Sequence, residues 1–144
     1  MYLHDHPNMS VYFRLLFGSL DYRSFDKVEE KFKYNDFSPN EYEEYMETHK
    51  VIETKMVNKA VLSGSQFLIV RPSSNNMHTF VAQQNSCFFD ICLPNYTTAS
   101  LRRITYYEEL EDEEAAKKGI YKMKFDASPP YFPQGFEVTE VPYQ

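Results

Sequence analysis

Two histidines, His4 and His6, stand one residue apart in the opening stretch MYLHDHPNMS. In an extended backbone, residues i and i+2 point to the same side, so both imidazoles can reach one point. This is the geometry of a pair of metal ligands, although a terminal HxH pattern also occurs in frayed chain ends and purification tags. The rest of the sequence has to decide between these interpretations.

The sequence contains four histidines in all, and the other two are His49 and His78. His78 begins the strand-like stretch HTFVAQQ, soon after the turn-forming residues RPSSNN. A β-barrel can bring the start of one strand opposite a strand distant in sequence, so His4, His6 and His78 can converge inside such a barrel. His49 lies in a charged segment, and we expect it at the surface.

Composition and charge argue against several classes of function. The 144 residues are 42% hydrophobic, 25% charged and 17% aromatic, which is typical of one folded domain and not of a disordered chain. A net charge of −6 and an isoelectric point near 5.2 argue against a nucleic-acid partner. The longest apolar runs, FLIV and CFFDICL, are far shorter than the roughly 20 residues that span a bilayer, so we expect no membrane segment.

The start of the sequence and its cysteines bear on the compartment. No signal peptide precedes the first histidines, which predicts a cytosolic or nuclear protein. Cys87 and Cys92 are five residues apart in one predicted strand, and an odd spacing puts them on opposite faces. We therefore predict reduced thiols and no internal disulfide.

Alternating apolar and polar residues predict an all-β fold. The stretch from Met9 to Asp26 is predicted to form two strands joined by a tight turn at Gly18-Ser19. Turn sequences separate the further predicted strands, which are 51–62, 66–70, 78–84, 86–93 and 103–110. Many short strands at regular spacing indicate a sandwich or a small barrel.

Two charge-rich segments differ in character from the strands. The insert 27–50 is predicted to be a loop with one short helix after Ser38-Pro39, because Ser and Pro in this order are typical of a helix start. The stretch 108–119 is predicted to be a solvated helix or an extended turn that ends at Gly119.

The end of the sequence, 127–144, is rich in proline. We expect this tail to wrap over the body in extended form, with FEVTEV (136–141) as a last strand. Residues 1–144 are thus expected to form a single domain with an insert and a tail.

Four stretches together resemble one known family. LHDHPNMSVYFRLLFGS (3–19) is similar to the first metal motif of the thiol dioxygenases that comprise cysteamine dioxygenase and the plant cysteine oxidases. NNMHTFVA (75–82) resembles the segment that supplies their third histidine. CFFDICLPNY (87–96) resembles their FLDxLxPPY stretch, and ITYYEE (104–109) their final active-site strand. The matches occur in family order and cover about residues 3–110.

The resemblance implies a cupin double-stranded β-helix, a small jelly-roll barrel, that holds one Fe(II). It implies the ligands His4, His6 and His78, and a reaction in which O2 oxidises a thiol to a sulfinic acid. The carboxylate ligand that many cupins place four residues after the second histidine is absent, because that position is Ser10. Three-histidine sites also hold zinc, and copper, nickel and zinc bind such ligands more tightly than ferrous iron.

Three further residues are candidates for catalysis or substrate positioning. Asp90 lies in a stretch suited to burial, on the face of Phe88 and Cys92, where a carboxylate needs a partner or a function. The alternative is a strand-edge residue exposed to solvent. Tyr96 and Tyr106 match tyrosines that line the family pocket, where a phenol can hydrogen-bond oxygen or sulfur. With 12 tyrosines in the chain, either can instead serve packing alone.

Two departures from the family pattern affect these expectations. Cysteamine dioxygenase carries a cysteine at the position of Ile104 that can cross-link to the tyrosine matching Tyr106, and here that bond cannot form. We expect this change to adjust the pocket and to leave activity intact. Family members also have strands before the HxH stretch, whereas three residues precede it here. We therefore expect either a fragment or a shortened cupin that lacks the usual N-terminal segment and covers the exposed edge with other segments.

The leading hypothesis is an Fe(II)-dependent dioxygenase that acts on cysteamine or on peptides with an N-terminal cysteine, whose amine and thiol can chelate the metal together. The alternative is a non-catalytic cupin that binds a thiol ligand or a protein partner, and a third hypothesis is a metal-assisted isomerase. We expect a monomer with O2 and the thiol substrate as its partners. By resemblance, the oxidation can mark proteins for oxygen-dependent degradation.

Overall fold

The computed structural model describes residues 1–28, 41, 44, 50–97 and 102–126. Eight strands and a short helix follow one another along the described chain. The strands are β1 (Ser10–Phe17), β2 (Ser19–Lys27), β3 (Val51–Ser63), β4 (Phe67–Val70), β5 (Met77–Ala82), β6 (Cys87–Leu93), β7 (Tyr106–Leu110) and β8 (Ile120–Asp126). The helix α1 (Glu113–Lys117) lies between β7 and β8.

The strands form two antiparallel sheets, one with the order β4-β1-β6 and the other with the order β5-β2-β3-β8-β7. Along β1, buried Val11, Phe13 and Leu15 alternate with residues that are more exposed, so one face of the smaller sheet points inward. Two packed antiparallel sheets with very little helix confirm the predicted all-β jelly-roll fold of the cupin type.

The two predicted strands around Gly18 are confirmed, but they do not pair with each other, because β1 and β2 belong to different sheets. Gly18 has a φ of +97°, which favours glycine. A Cβ atom at this position would lie 2.6 Å from the carbonyl oxygen of Asn85. Gly18 therefore lets the chain cross from one sheet to the other directly beside the start of β6.

The space between the sheets is filled by one cluster of buried side chains. Phe13 from β1 stacks on Phe80 from β5 with 4.7 Å between the ring centroids, and this contact sets the spacing of the two sheets. The cluster consists of Phe13, Leu15, Leu20, Tyr22, Leu62 and Phe80. Because β5 carries His78 two residues before Phe80, the packing of this core fixes the depth at which that histidine lies.

The N-terminal segment 3–5 joins the two edges of the larger sheet. On one side His4 exchanges backbone hydrogen bonds with His78 at 3.2 and 3.0 Å. On the other side the backbone nitrogen of Tyr107 donates to the carbonyl of Leu3 at 2.9 Å. The edge strands β5 and β7 are thus both paired along this segment.

A second buried cluster lies on the opposite face of the larger sheet. Its members come from segment 3–5 and from β2, β5, β7 and β8, and they are Leu3, Phe25, Met77, Tyr107 and Met123. Leu3 and Met77 precede His4 and His78 directly, so the same backbone that presents the histidines on one face is anchored by apolar burial on the other.

One strand was missed in the sequence analysis, namely β8. Its sequence IYKMKFD alternates apolar and basic residues, and in register Lys124 lies opposite Glu108 of β7 and Lys122 opposite Glu53 of β3. These cross-strand charge pairs favour a strand at 120–126, directly after the predicted charged helix or turn of 108–119. The predicted strand 103–110 is correspondingly shorter and begins at Tyr106.

The charged stretch 108–119 contains the predicted helix, α1. Asp112 caps its N-terminus by accepting a hydrogen bond from the backbone nitrogen of Ala115, and Gly119 follows it with a φ of +74°. No helix of the described ranges is both long enough and apolar enough to cross a membrane.

Most of the insert 27–50 and the whole tail 127–144 lie outside the described residues. The predicted last strand at 136–141 and most of the helix predicted after Ser38-Pro39 fall there. Glu41 and Glu44, which are described, have helical backbones.

Candidate metal centre

Three histidines converge in the described part of the chain. His4, His6 and His78 each offer one ring nitrogen, and these atoms all lie within 4.8 Å of one another. All three side chains are buried, with exposed fractions of 4%, 1% and 1%. The structure thus brings together the three histidines that the sequence predicts as ligands, while ligation itself stays a prediction.

The two N-terminal histidines share a face although they do not lie in a regular strand. His4 forms an isolated bridge with His78 and with Tyr106, and the chain turns soon after His6, at Asn8 with a φ of +54°. The rings of His4 and His6 nevertheless lie 4.7 Å apart between centroids. The predicted strand is therefore reduced to a short extended segment, and the predicted juxtaposition of the rings holds.

The hydrogen-bond partners define the tautomers of His4 and His6. Nδ1 of His4 lies 2.8 Å from the carbonyl of Tyr2, which can only accept, so Nδ1 carries the proton. The hydroxyl of Tyr96 donates its single proton to the carbonyl of Asp5 at 2.9 Å, so it accepts from Nδ1 of His6 at 2.5 Å. In both rings Nε2 is left with its lone pair, as a metal ligand requires.

The distance between Nε2 of His6 and Nε2 of His78 is 3.4 Å. Two nitrogen ligands about 2.0 to 2.1 Å from one metal ion lie roughly 3.0 to 3.4 Å apart, so this spacing fits a shared ion. Without an ion, two such lone pairs would repel each other unless one nitrogen were protonated. The donor set of three imidazoles therefore fits a divalent transition metal.

Burial keeps the three imidazoles neutral. It lowers the pKa of His4, and it lowers the pKa of His6 to about 3 with a smaller contribution from the neighbouring His4. Burial also holds the pKa of His78 well below its usual value, assisted by His4 and His6. Neutral rings are the form that binds metal, so the free protein is ready to bind without first losing protons.

Asp5 anchors the segment that carries the histidines. Its side chain is fully buried and accepts hydrogen bonds from the backbone nitrogen of Thr105 at 3.1 Å and from the hydroxyl of Tyr107 at 3.0 Å. Lys27 forms an ion pair with the same carboxylate at 3.4 Å. Asp5 therefore points away from the histidines and fixes their backbone against β7 and β2.

Comparison with known proteins identifies the family. The family model PCO_ADO matches residues 1–144, the whole chain. The chain belongs to the PCO_ADO family. The predicted resemblance to cysteamine dioxygenase and the plant cysteine oxidases is thereby confirmed.

Two curated relatives of this family are similar to the chain at low identity. A protein named probable 2-aminoethanethiol dioxygenase, from Dictyostelium discoideum, is 27% identical in an alignment 113 residues long that covers 72% of this chain and 43% of the relative. Plant cysteine oxidase 2 from Arabidopsis thaliana is 27% identical over 105 residues, 73% of this chain and 34% of the relative. The matched regions are thus less than half of the length of either relative.

Among the PCO_ADO-type site residues predicted from the sequence, Asp90 is half-buried and points inward. It lies opposite the buried Phe13 in the β1–β6 register, and Cys92 shares its face. Oδ1 of Asp90 is buried without a hydrogen-bond partner, and burial raises the pKa of this carboxyl to about 6. β6 is an edge strand of the smaller sheet, and Asp90 lies on its partly buried face, so a role of Asp90 in the site stays a prediction.

The two predicted tyrosines lie near different histidines of the triad. Tyr96 contacts His6, and burial raises the pKa of its phenol, with smaller contributions from Asp5, Cys92, Tyr106 and Asp90. The ring of Tyr106 lies 6.1 Å from that of His4 between centroids, is partly exposed, and has a pKa raised by burial. Both phenols therefore stay protonated at neutral pH and can donate one hydrogen bond.

The sequence analysis missed two residues that hold the centre, Asp5 and Asn76. Asp5 stands between the two histidines in HDH, and strict alternation alone puts it on the opposite face, where a charge needs partners. Asn76, two residues before His78, belongs to the turn-forming sequence RPSSNN. Its side-chain amide forms two hydrogen bonds with the backbone of His6.

Proposed function

We propose that this protein is an Fe(II)-dependent thiol dioxygenase that converts cysteamine, or the N-terminal cysteine of a peptide, to the sulfinic acid. The observation that carries this proposal is the buried triad of His4, His6 and His78 in a chain of the PCO_ADO family. The two relatives are named for the thiols 2-aminoethanethiol and cysteine, and a cluster of three neutral imidazoles, with no carboxylate in it among the described residues, suits a thiolate ligand.

The proposed reaction balances without a further reactant. A thiol RSH and one O2 give RSO2H, in which sulfur loses four electrons and the two oxygen atoms gain them. A bound Fe(II) would supply the one-electron chemistry that lets O2 react with a thiolate. Neither an external reductant nor an organic cofactor is needed for this balance.

The three histidines would position a metal ion and leave its charge uncompensated. Because burial lowers the pKa of all three histidines, their imidazoles would be neutral when a metal ion binds. Neutral ligands leave the charge of a divalent ion uncompensated, which favours an anionic thiolate and lowers the pKa of the incoming thiol. A carboxylate ligand would weaken both effects.

Asp90 is the proposed acceptor for the amine of the substrate. Its Oδ1 is buried without a partner, and an amine N–H would supply the missing hydrogen bond. The N–H groups of an amine that binds a metal ion are positively polarised, which would also lower the pKa of this carboxyl from about 6, so the ionised form would be the one that binds. This role requires a free amine close to the thiol, as in cysteamine and in an N-terminal cysteine.

Tyr96 and Tyr106 have different proposed roles. Tyr96 would orient His6 by accepting a hydrogen bond from its Nδ1–H. Tyr106, on the side of His4, would donate a hydrogen bond to the sulfur or to an oxygen of the substrate. Both hydroxyls would act as neutral donors or acceptors and would not ionise.

Oxygen consumption tests the proposal. Protein loaded with Fe(II) under anaerobic conditions is mixed with O2 and with cysteamine, with a peptide that begins with cysteine, or with the same peptide after acetylation of its amine. We expect one O2 consumed per thiol for one or both of the free amines and none for the acetylated peptide. His78→Ala should abolish uptake, whereas His49→Ala, the matched histidine control, should retain it.

Other outcomes distinguish the alternatives. Folded protein that retains iron and consumes no O2 with any thiol would favour the non-catalytic cupin. Folded protein that binds no iron would contradict the metal centre itself. The relative rates with cysteamine and with the peptide decide between the two substrates.

We also propose that residues 1–144 form a single cupin domain that is monomeric in the cytosol or nucleus, with an insert at 27–50 and a tail at 127–144. Each of the two buried apolar clusters contains side chains from several of the described strands, which supports one folding unit. Light scattering after size-exclusion chromatography should give the mass of one chain, 17.1 kDa. A larger mass would contradict the monomer.

A further inference from the structure

We propose that Asn76 is a positioning residue of the metal centre, which fixes His6 through its main chain and couples it to His78. The inference deepens the proposed function and rests on it, because it assumes that these two histidines hold a metal. Asn76 touches neither the expected metal nor a substrate, so its effect would be transmitted through the histidines.

The side-chain amide of Asn76 binds the peptide backbone of His6 at two points. Its Oδ1 accepts from the backbone nitrogen of His6 at 3.1 Å, and its Nδ2 donates to the carbonyl of His6 at 2.7 Å. Nδ2 also donates to the carbonyl of Arg71 at 3.2 Å. An amide that pairs with both groups of one residue imitates a neighbouring strand.

His6 needs such a partner because the sheet pairing ends just before it. The last ladder-type bond of the segment runs from the backbone nitrogen of Asp5 to the carbonyl of Thr105 at 3.1 Å. The chain then turns at Pro7 and Asn8. The side chain of His6 is 1% exposed, so water cannot easily replace a lost partner of its backbone. The carbonyl of His6 also accepts from the backbone nitrogen of Met9 at 3.2 Å, so among the described contacts the backbone nitrogen of His6 is the group that relies on Asn76 alone.

Asn76 is itself held firmly. Its backbone nitrogen donates to Oδ1 of Asp26 at 3.1 Å. The preceding residue, Asn75, has a φ of +59° and accepts side-chain hydrogen bonds from Ser24 at 2.8 Å and from Asn58 at 2.5 Å. Ser24 is also the register partner of His78. The segment from Asn75 to His78 is therefore fixed to β2 at both ends.

Asn76 consequently couples two proposed ligands that lie 72 residues apart in sequence. Its side chain holds His6, and its main chain continues through Met77 into His78. Tyr96 fixes the ring of His6 and Asn76 fixes the backbone that carries this ring. Both constraints are needed to keep Nε2 of His6 at its 3.4 Å distance from Nε2 of His78.

Cobalt(II) titration of the metal-free protein tests this role without relying on turnover. The variants are Asn76→Ala and the isosteric Asn76→Asp, which keeps an acceptor and loses both donors. We expect cobalt affinity to fall about 10- to 100-fold in both, as is usual when a partner behind a ligand is removed. The control Asn85→Ala, at an exposed turn residue, should bind cobalt as the wild type does.

Hydrogen exchange of the His6 backbone amide gives a second readout in the same metal-free proteins. Asn76→Ala should speed this exchange, and Asn76→Asp should leave it slower than in the alanine variant because the acceptor for this amide remains. Circular dichroism and thermal unfolding should show that Asn76→Asp, which preserves the volume of the side chain, is folded.

The results separate this inference from the proposed function. Folded Asn76→Asp with wild-type cobalt affinity would overturn the positioning role whether or not the protein is a dioxygenase. Weakened cobalt binding would support that role even if the wild type consumed no O2 with any thiol. Wild-type protein that binds neither cobalt nor iron would overturn both.

Discussion

At the scale of single residues, the orientation of the His6 ring depends on the hydroxyl of Tyr96. Removing it in Tyr96→Phe leaves Nδ1 of His6 without its acceptor at 2.5 Å and allows the ring to rotate. We expect metal affinity about 10-fold lower or more in this variant, measured by anaerobic titration. The control is Tyr12→Phe, at a tyrosine that is 46% exposed. Equal affinities in the two variants would contradict the role of Tyr96.

The partly buried carboxyl of Asp90 should make the stability of the fold depend on pH. Burial raises its pKa from 3.8 to about 6, so the folded protein holds this proton more tightly than the unfolded chain does. The free energy of unfolding should therefore fall as the pH rises from about 4 to about 6 and stay low above that. Asp90→Asn carries no titrating carboxyl at this position, so the variant should not lose this free energy of unfolding as the pH rises. In metal-free protein, the melting temperature of Asp90→Asn should therefore exceed that of the wild type by more at pH 7.5 than at pH 4.

The control for Asp90 is Glu114→Gln, at an exposed carboxylate, where we expect the difference in melting temperature to change little with pH. A constant difference between wild type and Asp90→Asn from pH 4 to pH 7.5 would contradict the burial of this charge. Because Asp90 is also the proposed amine acceptor, the stabilised variant should turn over substrate more slowly.

The candidate ligands and catalytic residues could be predicted from the sequence by their types and spacing. The residues that hold them in place could be predicted only in part. His4 and His6 follow from the period of an extended chain, and Asp90 stands out as a carboxylate in an apolar run. The role of Asn76 depends on where the chain stops pairing after Asp5, and local sequence does not contain that information. The same holds for the contact of Tyr96 with His6, which depends on the path of the loop after β6.

At the scale of elements, the crossing from β1 to β2 depends on Gly18. Alanine there would adopt a φ of +97° and place its Cβ 2.6 Å from the carbonyl oxygen of Asn85. We expect Gly18→Ala to lower the free energy of unfolding by about 2 to 4 kcal/mol, from backbone strain and overpacking together. Urea unfolding of the metal-free protein measures this loss.

Gly64→Ala separates the two causes. Gly64 also has a positive φ, +67°, but a Cβ there meets nothing within 4 Å. This variant should lose only about 1 kcal/mol, from backbone strain alone. Equal losses in the two variants would show that the close approach of Gly18 to the start of β6 carries no cost.

Most strands could be predicted from alternation and turn residues, and the exceptions have physical reasons. The pairing of segment 3–5 with both β5 and β7 was not predicted, because long-range pairing partners cannot be read from a short extended stretch. The strand β8 follows a highly charged stretch, and its lysines become favourable only opposite Glu53 and Glu108.

At the scale of the whole molecule, burial of the triad predicts how metal binding responds to pH. Since burial lowers the pKa of His4, His6 and His78, protons compete weakly for these nitrogens near neutral pH. We expect the affinity for cobalt(II) at pH 6 to be within about twofold of that at pH 7.5. Three imidazoles with the ordinary pKa of about 6.5 would instead lose roughly fifty-fold over this range.

A fifty-fold loss of affinity between pH 7.5 and pH 6 would mean that the three rings are open to solvent in solution, and it would contradict the closed centre. Calorimetric titration in two buffers of different ionisation enthalpy provides an independent count of the protons released on binding. We expect that count to be close to zero at pH 6.5.

The central claim is that the three-histidine centre transfers both atoms of O2 to a thiol. Mass spectrometry tests it most directly, with iron-loaded protein, oxygen-18 gas and either cysteamine or a peptide that begins with cysteine. The account predicts a product that has gained two oxygen-18 atoms at the sulfur, and no such product with His78→Ala. A product with one labelled atom, a disulfide only, or unchanged thiol from folded, iron-loaded protein would contradict the claim.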